Sequence, residues 1–178
     1  NLGECAAATV LTSKPKIFPV KPATLILGGG LSNDANHISG PSRTGEELGM
    51  AIHDALSEAG LSADEIDFVS AHGTATIYND EMEAKAFNLL GLNKTPLNSM
   101  KGYFGHTLGA AGVVESIMSA QSLQHQELIA TKGFKSLGVT MPLQVIQSPE
   151  KKAIKTCLKT SSGFGGCNAA LILQNQTN

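Results

Sequence analysis

Runs of strand length alternate along this chain with segments of helical period, and most handovers fall on a glycine or a capping residue. That alternation restricts the chain to an α/β architecture in which helices cover a sheet. Glu4 to Leu11 and Ala23 to Leu27 read as strands, the second opening into Gly28, Gly29 and Gly30, with a polar loop from Ser32 to Ser42 behind it. Leu48, Ala51, Ile52, Ala55, Leu56 and Ala59 recur on one helical face, after a capping box from Thr44 to Glu47 and before Gly60 as a stop. Ser62 to Glu65 is a second start signal and leads into a strand from Ile66 to Ala71, whose end delivers His72.

Asn79 or Asp80 then caps a helix that turns Met82, Ala86, Phe87, Leu89 and Leu90 inward and closes at Gly91. A short strand from Leu97 to Ser99 and a loop from Lys101 to His106 feed a further helix, Leu108 to Gln121. Gly109, Ala110, Ala111 and Gly112 suit that helix to close packing and burial. Strands from Leu143 to Gln147, Cys157 to Ser161 and Ala169 to Leu173 complete the pattern, the last two joined by a glycine loop. With no repeat or low-complexity linker, the sequence predicts one α/β domain with a mixed sheet.

At 178 residues with 42% apolar content the chain is long enough to bury a core. Its 13 basic and 15 acidic residues nearly cancel, so net charge implies no nucleic-acid partner. The longest apolar stretch, Ala23 to Leu31, is too short and glycine-rich to span the roughly 30 Å of a bilayer core, so no membrane partner is expected. Cys5, Cys157 and Cys167 show neither disulfide-framework nor zinc-ribbon spacing, which fits a reducing cytoplasm. The chain starts without methionine in what reads as a strand already under way, so a segment of a longer protein is expected.

The chemistry concentrates in three places. His72 leaves a strand end and His106 stands at a helix start, where the loops of an open α/β sheet build their site. A helix N-terminus disfavours an imidazolium, which would leave His106 neutral and able to donate its N–H to a carbonyl on which charge develops. Lys101 and the carboxylates Asp80 and Glu83, the latter two on one helical face, are placed to orient the imidazoles and set their protonation. Glu81 and Lys85 read instead as a solvated surface pair. Gly163, Gly165 and Gly166 allow close approach of a ligand to the backbone beside Phe164. No histidine, cysteine and carboxylate cluster has metal-site spacing, and Gly28 to Gly30 lacks both the P-loop lysine and the dinucleotide-binding spacing.

Taken together, Ala71-His-Gly-Thr-Ala-Thr76, Lys101 with Gly105-His-Thr-Leu-Gly-Ala-Ala-Gly112, and Gly163-Phe-Gly-Gly-Cys-Asn168 resemble the C-terminal part of β-ketoacyl-acyl-carrier-protein synthases. The resemblance spans nearly the whole chain. It implies one half, a mixed sheet with packed helices, of the two-half αβαβα thiolase-like fold. Residues 1–178 would form the C-terminal ketosynthase domain, with 1–20 the end of the N-terminal half and the link to it. That absent half would carry the nucleophilic cysteine. The implied reaction is decarboxylative Claisen condensation of an acyl thioester with malonyl-acyl-carrier-protein, in fatty acid or polyketide biosynthesis.

By similarity His72 and His106 are the two catalytic histidines, and Lys101 is the family lysine paired with Glu83, with Asp80 in support. Thr74 and Thr76 would contact the pantetheine arm, and Phe164 would be the gating aromatic beside Gly165 in the substrate loop. No cofactor is implied beyond the phosphopantetheine that the acyl carrier protein brings. The implied partners are that carrier protein, the N-terminal half, and a second subunit in a homodimer or ketosynthase heterodimer.

The sequence also departs from the family. Cys5 and Cys167 stand where glycine and threonine are usual, Ser162 replaces an aromatic residue, and none of the three cysteines is assigned as nucleophile, with Cys167 left open as a residue that lines the site. Cys157, in a strand, is expected in the core. A noncatalytic partner subunit and a thiolase stay open as alternatives, the thiolase disfavoured by Gly163 where a second cysteine would stand.

Overall fold

The computed structural model describes residues 1–14 and 24–176. A six-stranded mixed sheet forms its centre, in the order β1-β8-β7-β2-β3-β5. The strands are β1 (Thr24–Asn33), β2 (Phe68–Ser70), β3 (Pro96–Asn98), β5 (Gln144–Val145), β7 (Thr156–Gly163) and β8 (Cys167–Asn175). β8 runs antiparallel to its neighbours β1 and β7, whereas β7, β2, β3 and β5 are parallel. A two-stranded sheet of β4 (Glu127–Leu128) and β6 (Glu150–Lys151) lies apart, an addition too short to carry a sequence signal.

Helices cover both faces. Leu158 and Val69 join α1 (Glu46–Ala59) and α2 (Ile77–Leu89) in one core, with Leu48, Ile52, Met82 and Phe87. Cys157 and Phe68, each one residue earlier, point through the sheet to a second core containing Leu123 of α4 (Ala111–His125). The strand period of two thus feeds two helix layers. α1 follows its predicted period and stops at Gly60, whose left-handed φ of 66° suits glycine.

Several local expectations are corrected. Glu4 to Leu11 makes no strand and is exposed, because apolar content yields a strand only where a neighbour takes up its N–H groups. Ala23 and residues 15–20 of the expected link lie outside the described residues. Gly28 to Gly30 do not end β1, which runs on to Asn33. A Cβ on Gly30 would stand 2.0 Å from the Ala51 carbonyl oxygen, and one on Gly28 2.3 Å from that of Ala55. These glycines let the strand lie against α1.

The Thr44 capping box is not formed: Gly45, with φ 78°, is the N-cap and no side chain caps the helix. At Ser62 the Glu65 carboxylate does accept the Ser62 N–H at 2.9 Å, but the turn it closes is 3₁₀, Ala63–Glu65. α2 starts at Ile77 behind Thr76, so Asn79 and Asp80 lie in its first turn, where the Asn79 amide and Asp80 face the site. Leu89 of α2 is exposed. The expected loop after Met100 begins as a helical turn, α3 (Lys101–Phe104), and a 3₁₀ turn, Leu108–Ala110, precedes α4. α4 is only partly buried. One face is covered, while Val113, Gly112 and the preceding Gly109 line a groove with Ala8 to Leu11, Ile26 and Leu171.

Candidate active site

β2 brings its last residues between β3 and β7, and Ala71 continues the ladder by donating its N–H to the Asn98 carbonyl at 2.8 Å. His72 follows, buried. The chain then turns at Gly73, with φ 50°, where a Cβ would stand 2.5 Å from that of Ser99. Glu83, a turn and a half into α2, reaches back beneath this turn. Its carboxylate accepts the N–H of His72 at 2.8 Å, the N–H of Gly73 at 2.7 Å and the Asn79 amide at 2.9 Å, with the Thr160 hydroxyl at 3.2 Å. Burial pushes this carboxyl above the usual range, against the pull of the Gly73 and His72 N–H bonds.

Lys101 does not pair with Glu83 as expected. It forms an ion pair with Glu115 of α4, Nζ to Oε1 at 2.7 Å, because Glu83 is already saturated by the strand-end amides. Lys101 Nζ also donates to the His72 carbonyl and stands 3.1 Å from His72 Nδ1. An ammonium only donates, so Nδ1 is the acceptor and the proton of neutral His72 sits on Nε2. Burial first, then the charges of Lys101 and Lys159, push the His72 imidazole down to about 2. It is neutral at physiological pH.

His106 is placed differently. Its N–H bonds the Asn1 carbonyl at 2.9 Å and its carbonyl accepts the Gly3 N–H at 3.0 Å, so the first residues of the chain run alongside it. The Leu108 N–H donates to its Nδ1 at 3.1 Å, which again leaves the proton on Nε2. Burial, followed by Lys101, holds this imidazole below its usual range. The expected helix N-terminus is further away, since α4 begins only at Ala111. The two rings meet edge to face, centroids 5.1 Å apart and planes at 81°.

A cavity of about 640 Å³ opens beside them. Lys101, His106, Thr74, Thr76 and Asp80 line its polar end, Phe87, Leu97 and Val145 its apolar end. The Thr74 and Thr76 hydroxyls are 2.7 Å apart at its exposed edge. Burial raises the Asp80 carboxyl above its usual range. Phe164 and Gly165 are not brought to this cavity. They form the tip of the β7–β8 hairpin, where Phe164 is 83% exposed and the Gly165 N–H is taken by the Ile38 carbonyl at 2.7 Å. Cys157 is in the core, and burial pushes its thiol up to about 12, whereas Cys5 and Cys167 are exposed.

Two residues of this network escaped the sequence reading: Glu115, and Lys159 on β7, whose Nζ lies 2.6 Å from Glu115 Oε2. The available signal was a lone charge in each of two otherwise apolar or small-residue stretches, Ala111 to Met118 and Cys157 to Ser161. Among the described residues no cluster suited to a metal ion occurs.

The model of the β-ketoacyl synthase C-terminal domain matches residues 23–135. The chain belongs to that family. A β-ketoacyl synthase relative, the 3-oxoacyl-[acyl-carrier-protein] synthase 2 of Rhizobium meliloti (strain 1021), is 37% identical over 156 residues, covering 85% of this chain and 37% of the relative. Among solved structures, a ketosynthase in complex with its chain length factor from Xenorhabdus doucetiae superposes with a TM-score of 0.80 at 35% identity, covering 86% of this chain and 39% of that one. A type II polyketide ketosynthase, AntDE, in complex with its acyl-carrier protein AntF, superposes with a TM-score of 0.80 at 29% identity, covering 84% and 38%. The fold is therefore that of ketosynthases, thiolase-like, and this chain spans a little over a third of the length of such relatives.

Proposed function

We propose that this chain acts as the C-terminal part of a 3-oxoacyl-[acyl-carrier-protein] synthase, supplying the two histidines of a decarboxylative Claisen condensation. One observation carries the reading: two neutral imidazoles stand 5.1 Å apart, each with Nδ1 engaged, so both Nε2–H groups are free to donate. In the first step the malonyl thioester loses its carboxylate as carbon dioxide, and the electron pair of the broken C–C bond collects on the thioester oxygen. His72 and His106 hydrogen-bond that enolate oxygen, a charge absent from the ground state. The enolate carbon then attacks an acyl thioester held on a cysteine of the N-terminal half and expels the thiolate.

Lys101 keeps His72 in the donating tautomer, and Glu83 fixes its backbone. Thr74 and Thr76 stand at the cavity edge for the pantetheine arm that the acyl carrier protein brings. The AntDE complex with AntF supports that partner, and the Xenorhabdus pair supports a second ketosynthase-like subunit. Intact-mass analysis of the longer protein after exposure to an acyl-carrier-protein thioester tests the reading. An acyl adduct on an upstream cysteine is expected. An adduct on Cys167, or absence of malonyl decarboxylation, overturns it.

A further inference from the structure

We propose that Lys159 is a positioning residue that governs Lys101 through their shared carboxylate, Glu115. This deepens the proposed function and rests on it. Lys159 is only 2% exposed, yet it lies in the middle of β7 and outside the first cavity. Its ammonium touches three elements. It is 2.6 Å from Glu115 Oε2 on α4, it reaches the carbonyls of Ser70 at 3.3 Å and Ala71 at 3.4 Å, and it donates to the carbonyl of Thr160. Ser70 and Ala71 are the two residues that lead into His72. Thr160 carries the hydroxyl that bonds Glu83.

The Glu115 carboxylate thus faces a cation at both oxygens: Oε1 accepts a hydrogen bond from Lys101 at 2.7 Å, and Oε2 lies 2.6 Å from Lys159 in a charge contact that lacks hydrogen-bond geometry. A carboxylate pulled at one oxygen only is free to rotate toward the remaining cation. With Lys159 in place Glu115 is fixed, and Lys101 keeps one ammonium proton for His72 Nδ1. The other charged or titratable groups facing Lys101 are His72, His106, Glu83 on α2 and Glu115 on α4; Cys157 faces Lys159 from its own strand. Lys159 opposes the positive charge of Lys101 and Glu115 favours it. Loss of the Lys159 charge therefore tightens the proton on Lys101 while loosening its aim at His72.

The test uses the longer protein, with malonyl-carrier-protein decarboxylation measured across pH for wild type, Lys159→Gln and Lys159→Arg. Glutamine removes the charge and carries a donor one atom short of the Lys159 ammonium that contacts the Ser70 and Ala71 carbonyls. Its kcat should fall about tenfold at unchanged KM, and the alkaline limb, where Lys101 loses its proton, should move up by about one pH unit. Arginine, which keeps the charge, should leave the limb at its wild-type position. Wild-type kcat and limb in the glutamine variant overturn the proposal, as does a fall in kcat with the limb unmoved, the mark of a merely structural role. Should the glutamine variant lack a cooperative melt, the arginine variant decides, a displaced limb in the folded protein overturning the proposal. Wild type without decarboxylation would instead sink the proposed function itself.

Discussion

Lys101 Nζ stands 3.1 Å from Nδ1 of His72 and 2.7 Å from Glu115, so one buried ammonium joins an imidazole to a carboxylate. The contact fixes the His72 tautomer without touching the ring face. Lys101→Met removes the donor and one of the charges that depress the His72 imidazole. Malonyl decarboxylation should drop by about a hundredfold or more while the fold persists, measured by initial rates beside circular dichroism. Undiminished decarboxylation in this variant would show that Lys101 only neutralises Glu115.

Glu83 is a structural anchor as much as a site residue. Glu83→Gln keeps one acceptor but turns an NH₂ group toward a backbone N–H, of His72 or of Gly73. A loss of about 2–4 kcal/mol in chemical denaturation is expected. A change below about 0.5 kcal/mol would mean that the turn is held by other bonds.

Acid should weaken the fold through His72. Its imidazole is held down to about 2 in the folded chain, against an unfolded value of 6.5. Between these values the unfolded chain binds a proton that the folded chain refuses, so stability is fully present above 6.5 and declines as pH falls. The contribution is at most about 1.4 kcal/mol per pH unit. Melts from pH 7 to pH 4 on wild type and His72→Gln should show a shallower decline in the variant. Parallel curves would place the acid sensitivity elsewhere.

The cysteines should separate by reactivity. Cys157 is fully buried with its thiol pushed up to about 12, so at pH 8 only about one molecule in ten thousand carries its thiolate. Iodoacetamide should label Cys5 and Cys167, which are exposed, and spare Cys157 until the chain unfolds. Peptide mapping reads this directly, and rapid native labelling of Cys157 would contradict its place in the core.

The isolated chain should self-associate. Ile26 and Val113 are exposed along the groove beside α4, and Leu31 is 80% exposed on β1. An apolar surface of this kind seeks cover. Light scattering should find dimers or larger species, and a monodisperse monomer would count against the prediction.

α1 was legible because its period and its stop at Gly60 are local properties. The strand ends carrying His72 and the helix carrying Glu83 were legible for the same reason. Gly28 and Gly30 were misread because an isolated glycine run signals a turn, and only α1, packed against them, explains why side chains are forbidden there. The Lys101 partner was misassigned because sequence gives no distance. Glu83 and Glu115 are both near Lys101 along the chain, and the backbone amides at His72 and Gly73 decide which one is free. Lys159 was passed over for a simpler reason, since a single lysine in a strand ordinarily faces water, and the lone charge in that stretch does not say which way it points.

The ladder between Asn1–Gly3 and His106 also has a kinetic meaning. It joins residues separated by three α-helices and three strands, so its loop closes late, after the local elements have formed. The His72 side of the site assembles from neighbours in sequence, Glu83 above all, whereas the backbone of His106 is secured only when Asn1 to Gly3 arrive. A folding chain would therefore hold one histidine ready well before the other, and competence would appear as a final, separate step.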